Sequence, residues 1–582
     1  MKKTGSQIIT ELLKMHGIDT VSGIPGGSIL PLYDELTRSG IKHILVRQEQ
    51  AAGFIAQGMA RTTGKPAVCL ATSGPGAMNL LTAIADARCD SVPIIAITGQ
   101  VNLSLIGTDA FQEADTFGLS FPITKHSIMV KSAKELLEAI PQAFEIAMNG
   151  RPGPVLIDVP RNVQCETAEF DKWPSISTNH KIARFHDSKK LMADVCNEMS
   201  IELLKSKKPV LYIGGGCNSA QAAKGIAKFL DAYDAPVVSS LMGIGAFPSN
   251  HKDNMGMVGM HGSVAANETM YKADLVLAVG VRFDDRAVGL TQKFCPKAKI
   301  LHIDIDAAEI DKILTSNLSL VADAESAFPL LAQLISENSS SIEDSSSYKD
   351  ARSEWIKDCE AKKEKTFSFK TGLAKKTNLP NPREFIANIP NVAESAGCSK
   401  DNLLVTTDVG QHQMWTAQYY PVTKPRTFLT SGSLGTMGFG LPTAIGASLA
   451  NPKKRVVCFS GDGSIMMNIQ ELATLSELNL PVTVIVFENG TLGMVYQQQK
   501  FVFDKNYSAS IFSGKPDLLA IAKGFGLETI DANEDEDWAK KAFGNSKDSS
   551  TKKARFVRVR ISPEEDVLPY VKAGCANVDS LK

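Results

Sequence analysis

Two polar side chains in the last third of the chain have the types and spacing of ligands for a hard cation. Asp462 follows an apolar run that is typical of a strand, and Asn489 follows the next such run, one strand–helix–strand unit later. Because neighbouring parallel strands end at the same edge of a sheet, the two side chains can share one metal. A carboxylate and a carboxamide suit Mg²⁺, which completes its shell with phosphate and water. The spacing therefore predicts a magnesium site.

The residues around this carboxylate have the features of a phosphate site. In SGDGS (460–464), Gly463 lets the backbone approach a ligand closely, and Ser464 is expected to open a helix whose first N–H groups favour anions. The letters GDGS alone are as typical of a plain tight turn. Asn489 and the glycines that follow it favour the cation site, with a diphosphate as its ligand.

A second candidate group lies in LVRQEQAAGFIAQGMAR (45–61), where Glu49 separates an apolar run from an apolar helix pattern. A carboxylate at such a junction could be buried. Alone, it would more often be a glutamate that complements the dipole at a helix start. It lies, however, between two glycine-rich segments, GIPGGSILPLYDEL (23–36) and ATSGPGAMNL (71–80).

Alternating strand and helix patterns must position these groups, and such alternation predicts parallel sheets with covering helices. We predict an α/β fold of three doubly wound parallel-sheet domains, at 1–165, 187–335 and 377–562, followed by a C-terminal tail, 563–582. A polar stretch, 165–186, is interpreted as the first linker. A serine-rich loop, 336–347, and a charged helix-like segment to about 376 form the second. The predicted strands are 44–46, Ala67–Ala71, 94–98, 155–159, 210–213, Val237–Ser239, Leu275–Val279, 300–303, 403–406, 455–459, 482–487 and 554–559.

Composition excludes several classes of function. A chain of 582 residues is too long for one core, and 43% apolar content provides for several. With 62 basic and 63 acidic residues there is no basic field for nucleic acid or an anionic membrane. The ten cysteines include no Cys-x-x-Cys pair, the N-terminus reads as an amphipathic helix, and no stretch could span a bilayer. We expect a cytoplasmic protein with small-molecule partners.

Together, the motifs at both ends of the chain resemble those of the thiamine-diphosphate enzymes. The resemblance implies that Mg²⁺ is held by Asp462, Asn489 and the backbone carbonyl of Thr491. It also implies that Glu49 hydrogen-bonds N1′ of the aminopyrimidine and favours the tautomer that removes the C2 proton. The cofactor then supplies the electron sink. Relatives commonly have Asn before the second ligand and His before the glutamate, where this chain has Glu488 and Gln48.

Further glycine-rich turns match the family's remaining cofactor contacts in order along the chain. They lie in TTDVGQHQMW (406–415) and SGSLGTMGFGLPTAIGA (431–447). Alone, such turns more often serve packing only. The cofactor contacts implied, besides Glu49, are Pro25, Gly26, Asn79, Gly410, Gln411, His412, Gly435, Met437, Gly463, Ser464, Gly493 and Met494. The catalytic residues implied, besides Glu49, are Gln112, in GTDAFQE (107–113), and Gln498.

The central block narrows the choice within the family. GGGCNSA (214–220) alone is a weak nucleotide signal. The segments 257–289 and HIDIDAAEIDK (302–312) closely resemble the FAD-binding domain of acetohydroxyacid synthases. One departure is Arg161 in IDVPRN, where relatives usually have Lys. The implied FAD contacts are Arg151, Gly214, Gly215, His261, Gly262, Arg282, Asp304 and Asp323.

The resemblance covers essentially the whole chain and is close to bacterial biosynthetic catalytic subunits. It implies decarboxylation of pyruvate and transfer of the two-carbon unit to pyruvate or 2-ketobutyrate, the first common step of branched-chain amino acid synthesis. The flavin takes no electrons in that scheme. A homodimer or homotetramer is expected, with active sites between the first domain of one subunit and the third of another. Many members also bind a small regulatory subunit. No nucleic acid or membrane partner is expected.

Three alternatives remain open on the sequence. Pyruvate oxidase shares the three-domain plan and uses FAD as an electron acceptor. Glyoxylate carboligase is disfavoured, because that type lacks the glutamate found here as Glu49. A catalytically silent nucleotide-binding or regulatory protein is disfavoured by the presence of Glu49, Asp462 and Asn489 together.

Acceptor choice is predicted from GMVYQQQKFVF (493–503). Many acetohydroxyacid synthases read Gln-Trp-Gln here, whereas this chain has Gln498 in the place of the tryptophan. That indole is associated with preference for 2-ketobutyrate, and its loss should remove much of the preference. The alternative is that Gln498 is only a solvated loop residue.

Overall fold

The computed structural model describes residues 1–176, 189–366, 377–544 and 554–581 of the chain. It contains three parallel sheets of six strands each, with helices around them, and one two-stranded antiparallel sheet. The predicted α/β class is therefore confirmed. Residues 177–188 and 367–376, from the two predicted linkers, and 545–553, from the third block, lie outside the described residues.

The first part of the chain builds the first large sheet, with strand order β3-β2-β4-β5-β7-β6, and the antiparallel pair β1-β8. Its elements are β1 (Lys2–Thr4), α1 (Gly5–Met15), β2 (Thr20–Gly23), α2 (Leu30–Ser39), β3 (Lys42–Leu45), α3 (Glu49–Thr63), β4 (Ala67–Ala71), α4 (Pro75–Cys89), β5 (Ile94–Gln100), α5 (Thr116–Ser120), β6 (His126–Met129), α6 (Leu136–Met148), β7 (Val155–Pro160), α7 (Arg161–Cys165) and β8 (Thr167–Glu169).

The middle part builds a sheet of order β11-β10-β9-β12-β13-β14. Its elements are α8 (Lys189–Lys205), β9 (Pro209–Ile213), α9 (Ala220–Ala232), β10 (Val237–Ser239), β11 (Asn254–Met257), α10 (Val264–Lys272), β12 (Leu275–Val279), α11 (Asp285–Val288), β13 (Lys299–Asp304), β14 (Leu318–Val321), α12 (Ala324–Asn338) and α13 (Ser345–Thr366).

The last part builds a sheet of order β16-β15-β17-β18-β20-β19. Its elements are α14 (Pro382–Ser395), β15 (Leu403–Thr407), α15 (Gln411–Tyr419), β16 (Phe428–Leu429), α16 (Gly440–Ala450), β17 (Arg455–Gly461), α17 (Asp462–Ile465), α18 (Glu471–Leu478), β18 (Val482–Glu488), α19 (Gly493–Val502), α20 (Leu518–Gly524), β19 (Glu528–Asp531), α21 (Trp538–Phe543) and β20 (Arg555–Arg560).

Two predicted linker stretches are shorter than expected. The end of the first block continues into β8, which pairs with β1 in antiparallel register, Lys3 opposite Ala168. The serine-rich stretch is helical at both ends, because α12 extends to Asn338 and α13 begins at Ser345. Sequence analysis missed the helical ends because serine is common in loops but also tolerated in the end turns of helices. It missed β8 because the partner strand is far away in the chain.

Near the middle of each large sheet the direction in which strands are added reverses, and this reversal creates a crevice at the carboxyl ends of two strands. The crevices lie between β2 and β4, between β9 and β12, and between β15 and β17. Open α/β sheets bind ligands at such points. All three are therefore candidate cofactor sites.

The first and third sheets pack tightly through α3 and α16. A Cβ atom on Gly58 would lie 2.2 Å from the Thr443 carbonyl oxygen, so the two helix backbones are in direct contact. One hydrophobic cluster contains side chains from both sheets, among them Ile55 and Ile445. Packing thus fixes the relative position of the two crevices. None of the described helices is long and apolar enough to cross a membrane.

Candidate active site

The predicted metal ligands meet at the carboxyl edge of the third sheet. β17 ends directly before Asp462, and β18 directly before Asn489. Asp462 Oδ2 accepts hydrogen bonds from the backbone N–H groups of Asn489 (3.0 Å) and Gly490 (2.6 Å). Asn489 Oδ1 accepts from the backbone N–H and hydroxyl of Thr491, at 3.0 and 2.9 Å. The three predicted ligands therefore form one hydrogen-bonded group.

The electrostatics of this group suit a cation. Burial raises the pKa of Asp462 to about 6, although the backbone hydrogen bonds oppose the shift. The described residues contain no cluster of three His, Cys, Asp or Glu side chains that could hold a metal. A metal here would therefore depend on one carboxylate, one carboxamide and backbone oxygen, completed by phosphate and water, which is the donor set that Mg²⁺ accepts.

The other wall of this crevice follows β15 and contains two buried polar atoms that lack a partner. They are Nε2 of His412 and Oε1 of Gln411. Burial lowers the pKa of His412 to about 3, so its imidazole is neutral at physiological pH. Buried polar atoms are normally paired, so these two indicate a site that a polar ligand completes. A diphosphate with its cation fits.

A glycine-rich loop, 431–440, closes the crevice and carries Gly435 and Met437. Asp408, which is fully buried, accepts from the backbone N–H groups of Val409 (2.9 Å) and Gly438 (2.8 Å) and so fixes the loop. Gly463 lies in α17, which begins at Asp462 and not at Ser464 as expected. The Ser464 hydroxyl instead accepts from the backbone N–H of Gly461, at 3.1 Å.

The first sheet assembles a second group of predicted residues. Glu49 is the first residue of α3 and is half-buried, less enclosed than the sequence suggested. Its Oε2 accepts from Asn79 Nδ2 at 3.0 Å. A Cβ atom on Gly76 would lie 3.4 Å from its Oε1, and one on Gly74 would lie 2.7 Å from the Gln112 carbonyl oxygen. The structure thus places Glu49, Asn79 and Gln112 around the first turn of α4.

Two more predicted contacts, Pro25 and Gly26, follow β2 on the other side of this crevice. A Cβ atom on Gly26 would lie 2.6 Å from the Thr72 side chain, so only glycine fits between the two strands. In the part of the chain that the structure describes, the Glu49 and Asn79 side chains bond to each other and not to the third sheet. One chain therefore holds two separate half-sites.

The middle sheet lines a cavity of about 390 Å³ that extends to the first and third sheets. Glycine turns follow β9 and β12 at its floor, and a Cβ atom on Gly214 would lie 2.0 Å from the Gly280 carbonyl oxygen. Pockets of this size hold cofactor-sized ligands. The predicted FAD contacts that line the cavity are Gly215, Arg282, Asp304, Asp323 and, from the first sheet, Arg151.

The charges in this cavity are balanced within the chain. Arg151 Nη1 pairs with Glu309 (2.6 Å) and Asp306 (3.3 Å), and its Nε donates to the Ser91 hydroxyl. Arg282 donates to the Ser433 hydroxyl of the third part. Burial raises the pKa of Asp304 to about 6. Arginines with hydrogen-bonding acids suit a ligand that has both a diphosphate and ribose hydroxyls.

Three predicted FAD contacts are not in the lining of this cavity: Gly214, directly before Gly215, and His261 with Gly262. His261 is buried under the C-terminal segment, with Nδ1 3.4 Å from the Pro569 carbonyl oxygen and its ring 5.7 Å from that of Tyr570. Burial lowers its pKa to about 4, so it is neutral at physiological pH. Gly262 lies beside it and is also buried.

Sequence analysis did not predict two arginines that line the cavity, Arg61 and Arg426. Arg61 forms buried ion pairs with Asp86 (3.2 Å) and Asp90 (2.9 Å), and Arg426 donates to the Arg61 carbonyl at 3.0 Å. Both aspartates also accept from loop 431–440, Asp90 from the Gly432 N–H at 2.9 Å. No local motif marks these residues, because their neighbours are far apart in sequence.

The helix α19, which follows the loop 489–492, carries three predicted site residues, with Gln498 as the one predicted to affect acceptor choice. Gly493 and Met494 open it and are half-buried, and Gln498 is exposed. Its neighbour Gln497 is fully buried. A run of three glutamines in the sequence does not indicate which of them is buried.

Family models match all three parts of the chain. Residues 3–119, 197–334 and 408–558 match the N-terminal TPP binding domain, the central domain and the C-terminal TPP binding domain of thiamine pyrophosphate enzymes. With two half-sites on the outer sheets, these matches define the class as a thiamine-diphosphate enzyme.

Curated relatives narrow this class. The acetolactate synthase isozyme 1 large subunit of Escherichia coli (strain K12) is 45% identical over 99% of this chain and 97% of its own length. Isozyme 2 of the same strain is 39% identical over 99% of both chains. The acetolactate synthase large subunit of Lactococcus lactis subsp. lactis (strain IL1403) is 39% identical over 98% of this chain and 95% of its own. The chain belongs to the family of acetolactate synthase large subunits.

Proposed function

We propose that the chain decarboxylates pyruvate and joins the two-carbon fragment to a second 2-keto acid, giving 2-acetolactate from pyruvate and 2-aceto-2-hydroxybutyrate from 2-ketobutyrate. This is the first common step of branched-chain amino acid synthesis. The observation that carries the proposal is the pair of half-sites: a carboxylate, Glu49, at one sheet edge and the group of Asp462, Asn489 and Thr491 at another.

Asp462, Asn489 and the Thr491 carbonyl would hold Mg²⁺, with the diphosphate of thiamine diphosphate beside His412. The bound cofactor supplies a carbon nucleophile and an electron sink. The orphaned Nε2 of His412 supports this position, as does the tight space at Gly493, where a Cβ atom would lie 2.2 Å from Gln411 Oε1 and 3.1 Å from Asn489 Nδ2. Pro25, Gly26 and Asn79 would contact the pyrimidine.

Glu49 would hold and move the proton at the pyrimidine N1′. Its Oε2 bond to Asn79 orients the carboxylate, and its position at the start of α3 leaves the other oxygen free for a ligand. A carboxylate positioned in this way serves as a general acid–base group. Gln112 and Gln498, which lie at the edges of the two half-sites, would contact the substrates.

FAD is proposed for the cavity of the middle sheet, in a structural role. The glycine turns after β9 and β12, the arginines Arg151 and Arg282, and the acids Asp304 and Asp323 support this assignment. Gly214 belongs to the same set, and His261 and Gly262, which are not in the lining of the cavity, are proposed as further contacts.

A homodimer is proposed as the smallest active unit, with the first half-site of one chain facing the second half-site of its partner. Large apolar side chains are exposed beside both halves: Met78 and Phe111 near Glu49, and Met467 and Phe503 near Asp462 and α19. Exposed apolar patches of this kind mark interaction sites. A homotetramer and a small regulatory subunit are further proposed partners, the latter because the relatives' names describe large subunits.

Anaerobic turnover of pyruvate tests this function against that of pyruvate oxidase. The protein is loaded with thiamine diphosphate, Mg²⁺ and FAD, and the flavin absorbance is followed while pyruvate is consumed. Acetolactate formation with the flavin oxidised throughout is the expected result. Bleaching of the flavin in step with pyruvate loss would instead assign an oxidase. A cytoplasmic location remains proposed, consistent with the ten free cysteines.

A further inference from the structure

Gln497 makes three hydrogen bonds inside the protein, although the next residue of α19, Gln498, is exposed. Its Oε1 accepts from the backbone N–H of Val567 (2.6 Å) and from Gln411 Nε2 (3.0 Å), and its Nε2 donates to the Val567 carbonyl (3.1 Å). The side chain is fully buried. Gln497 therefore joins the C-terminal segment to a residue of the diphosphate half-site.

These bonds determine the orientation of the Gln411 carboxamide. Its nitrogen faces two acceptors, Gln497 Oε1 and the Glu565 carbonyl at 2.8 Å. The Gln497 oxygen is identified in turn by the Val567 N–H that it accepts, because a backbone N–H cannot accept. The network therefore allows only one assignment of the two amide ends.

The other end of Gln411, Oε1, faces the site. It is buried, has no partner, and lies 2.2 Å from the position of a Cβ atom on Gly493, at the start of α19. A carbonyl oxygen accepts and never donates, whereas the oxygens of an ionised diphosphate also only accept. Gln411 is therefore unsuited to bind a phosphate oxygen directly, and it suits a hydrogen donor such as a water molecule in the shell of Mg²⁺.

We propose that Gln497 is a positioning residue for cofactor binding: it holds the Gln411 nitrogen and so presents the Gln411 oxygen as an acceptor at the metal–diphosphate site. The inference rests on the proposed function, since it assumes that Mg²⁺ and thiamine diphosphate bind there. It also revises the sequence-based role of Gln411 from phosphate ligand to acceptor beside the metal.

Gln497→Met tests whether the hydrogen bonds of Gln497 affect cofactor binding, because Met has a similar shape and cannot form the three bonds. The measured quantity is the affinity for thiamine diphosphate with Mg²⁺ present, followed by quenching of intrinsic tryptophan fluorescence. We expect binding about tenfold weaker, in line with the loss of a buried hydrogen bond. At saturating cofactor, the KM for pyruvate should stay within about twofold of its original value, since the substrate pocket is unchanged.

Gln499→Met is the matched control on the same helix. Gln499 donates to the Ser508 carbonyl and accepts from the Ser510 hydroxyl, and it has no bond to Gln411. Its replacement should leave cofactor affinity within about twofold. Gln497→Glu keeps both acceptor bonds, and when its buried carboxyl group is protonated the O–H can donate to the Val567 carbonyl in place of Nε2. Measured at mildly acidic pH, it should recover most of the affinity lost in Gln497→Met, which also covers the case in which the methionine variant folds poorly.

A double-mutant cycle separates positioning from simple attachment of the C-terminal segment. If Gln497 acts through Gln411, then Gln497→Met should have little further effect in a Gln411→Met background, because coupled residues are not additive. Full additivity, or an unchanged affinity in Gln497→Met, would overturn the inference. Failure of the proposed function is distinguishable, because then the unmodified protein would not bind thiamine diphosphate in a Mg²⁺-dependent way.

Discussion

The two carboxylates of the candidate site differ in their surroundings, and the difference assigns their tasks. Asp462 is buried and accepts two backbone N–H bonds, which hold its carboxylate in place and suit the proposed role of metal ligand. Glu49 is half-buried and has one side-chain bond, to Asn79, which leaves it free to exchange a proton. Removing the charge from each should therefore damage different steps.

Glu49→Gln is expected to keep the fold and cofactor binding but to lose most turnover. A neutral amide cannot hold and release the proton at N1′ as a carboxylate can, and contributions of this kind are worth about 10²–10⁴-fold in rate. Steady-state kcat and thiamine diphosphate affinity are the two measurements. Near-normal kcat would show that Glu49 is not the acid–base group.

Asp462→Ala is expected to weaken thiamine diphosphate binding in a metal-dependent way. The variant loses the only carboxylate among the predicted Mg²⁺ ligands. Titrations with the cofactor at several Mg²⁺ concentrations measure the effect. If affinity were unchanged and independent of metal, the anchor would have to lie elsewhere.

Gln498 is exposed on α19 in the single chain, as an acceptor-site residue would be before a partner covers it. We predict comparable use of pyruvate and 2-ketobutyrate as acceptors. One methylene in an apolar pocket provides only about 1–3 kcal/mol of discrimination, so the absence of the indole is enough to remove much of the preference. Gln498→Trp should raise the share of 2-aceto-2-hydroxybutyrate in a competition assay. No response to the tryptophan would place selectivity elsewhere.

At the level of elements, the alternating pattern predicted most strands of the three sheets to within one or two residues. The strands β4, β10 and β12 have the predicted bounds, because buried parallel strands are continuous apolar runs with clear ends. The spacing of Asp462 and Asn489 placed two predicted ligands at one sheet edge, because both follow such strands directly.

The elements that sequence analysis missed are the short strand β2 inside the first sheet, several short strands at sheet edges, and the pairing of β1 with β8. The edge strand β16 has two residues, too few for a pattern. The pairing of Lys3 with Ala168 joins residues far apart in the chain, which no local pattern could indicate. The Gln411–Gln497–Val567 network was missed for the same reason.

A buried carboxylate in β7 joins two strands of the first sheet and should make its stability depend on pH. Asp158 accepts from the Thr98 hydroxyl (2.7 Å) and Gln100 Nε2 (3.0 Å), but burial still raises its pKa to about 7. The pKa of Asp158 is higher in the folded than in the unfolded protein. Its contribution to the free energy of unfolding is therefore fully present below the unfolded pKa and is lost as pH rises to about 7.

Asp158→Asn removes this titration. As pH rises from 5 to 8, the midpoint of thermal unfolding of the variant should therefore increase relative to that of the unmodified protein. The amide loses one of the two acceptor bonds, but that cost does not vary with pH. Parallel pH profiles for the two proteins would contradict the predicted ionisation of Asp158.

For the whole molecule, three sheets of similar topology give three crevices with different chemistry. The first offers a carboxylate, the second a cavity with arginines and glycine turns, and the third a candidate metal–diphosphate site. The packing of α3 on α16 fixes the two outer crevices within one chain, while exposed apolar side chains beside both support the proposal that a second copy completes them.

The carbon balance of pyruvate consumption is the most direct test of whether the protein condenses two pyruvate molecules. The protein is supplied with thiamine diphosphate, Mg²⁺, FAD and pyruvate alone, and both the organic product and the released CO₂ are measured. We expect 2-acetolactate, with one CO₂ released for every two pyruvate molecules consumed. Acetate or free acetaldehyde as the main product, with one CO₂ for each pyruvate, would contradict it.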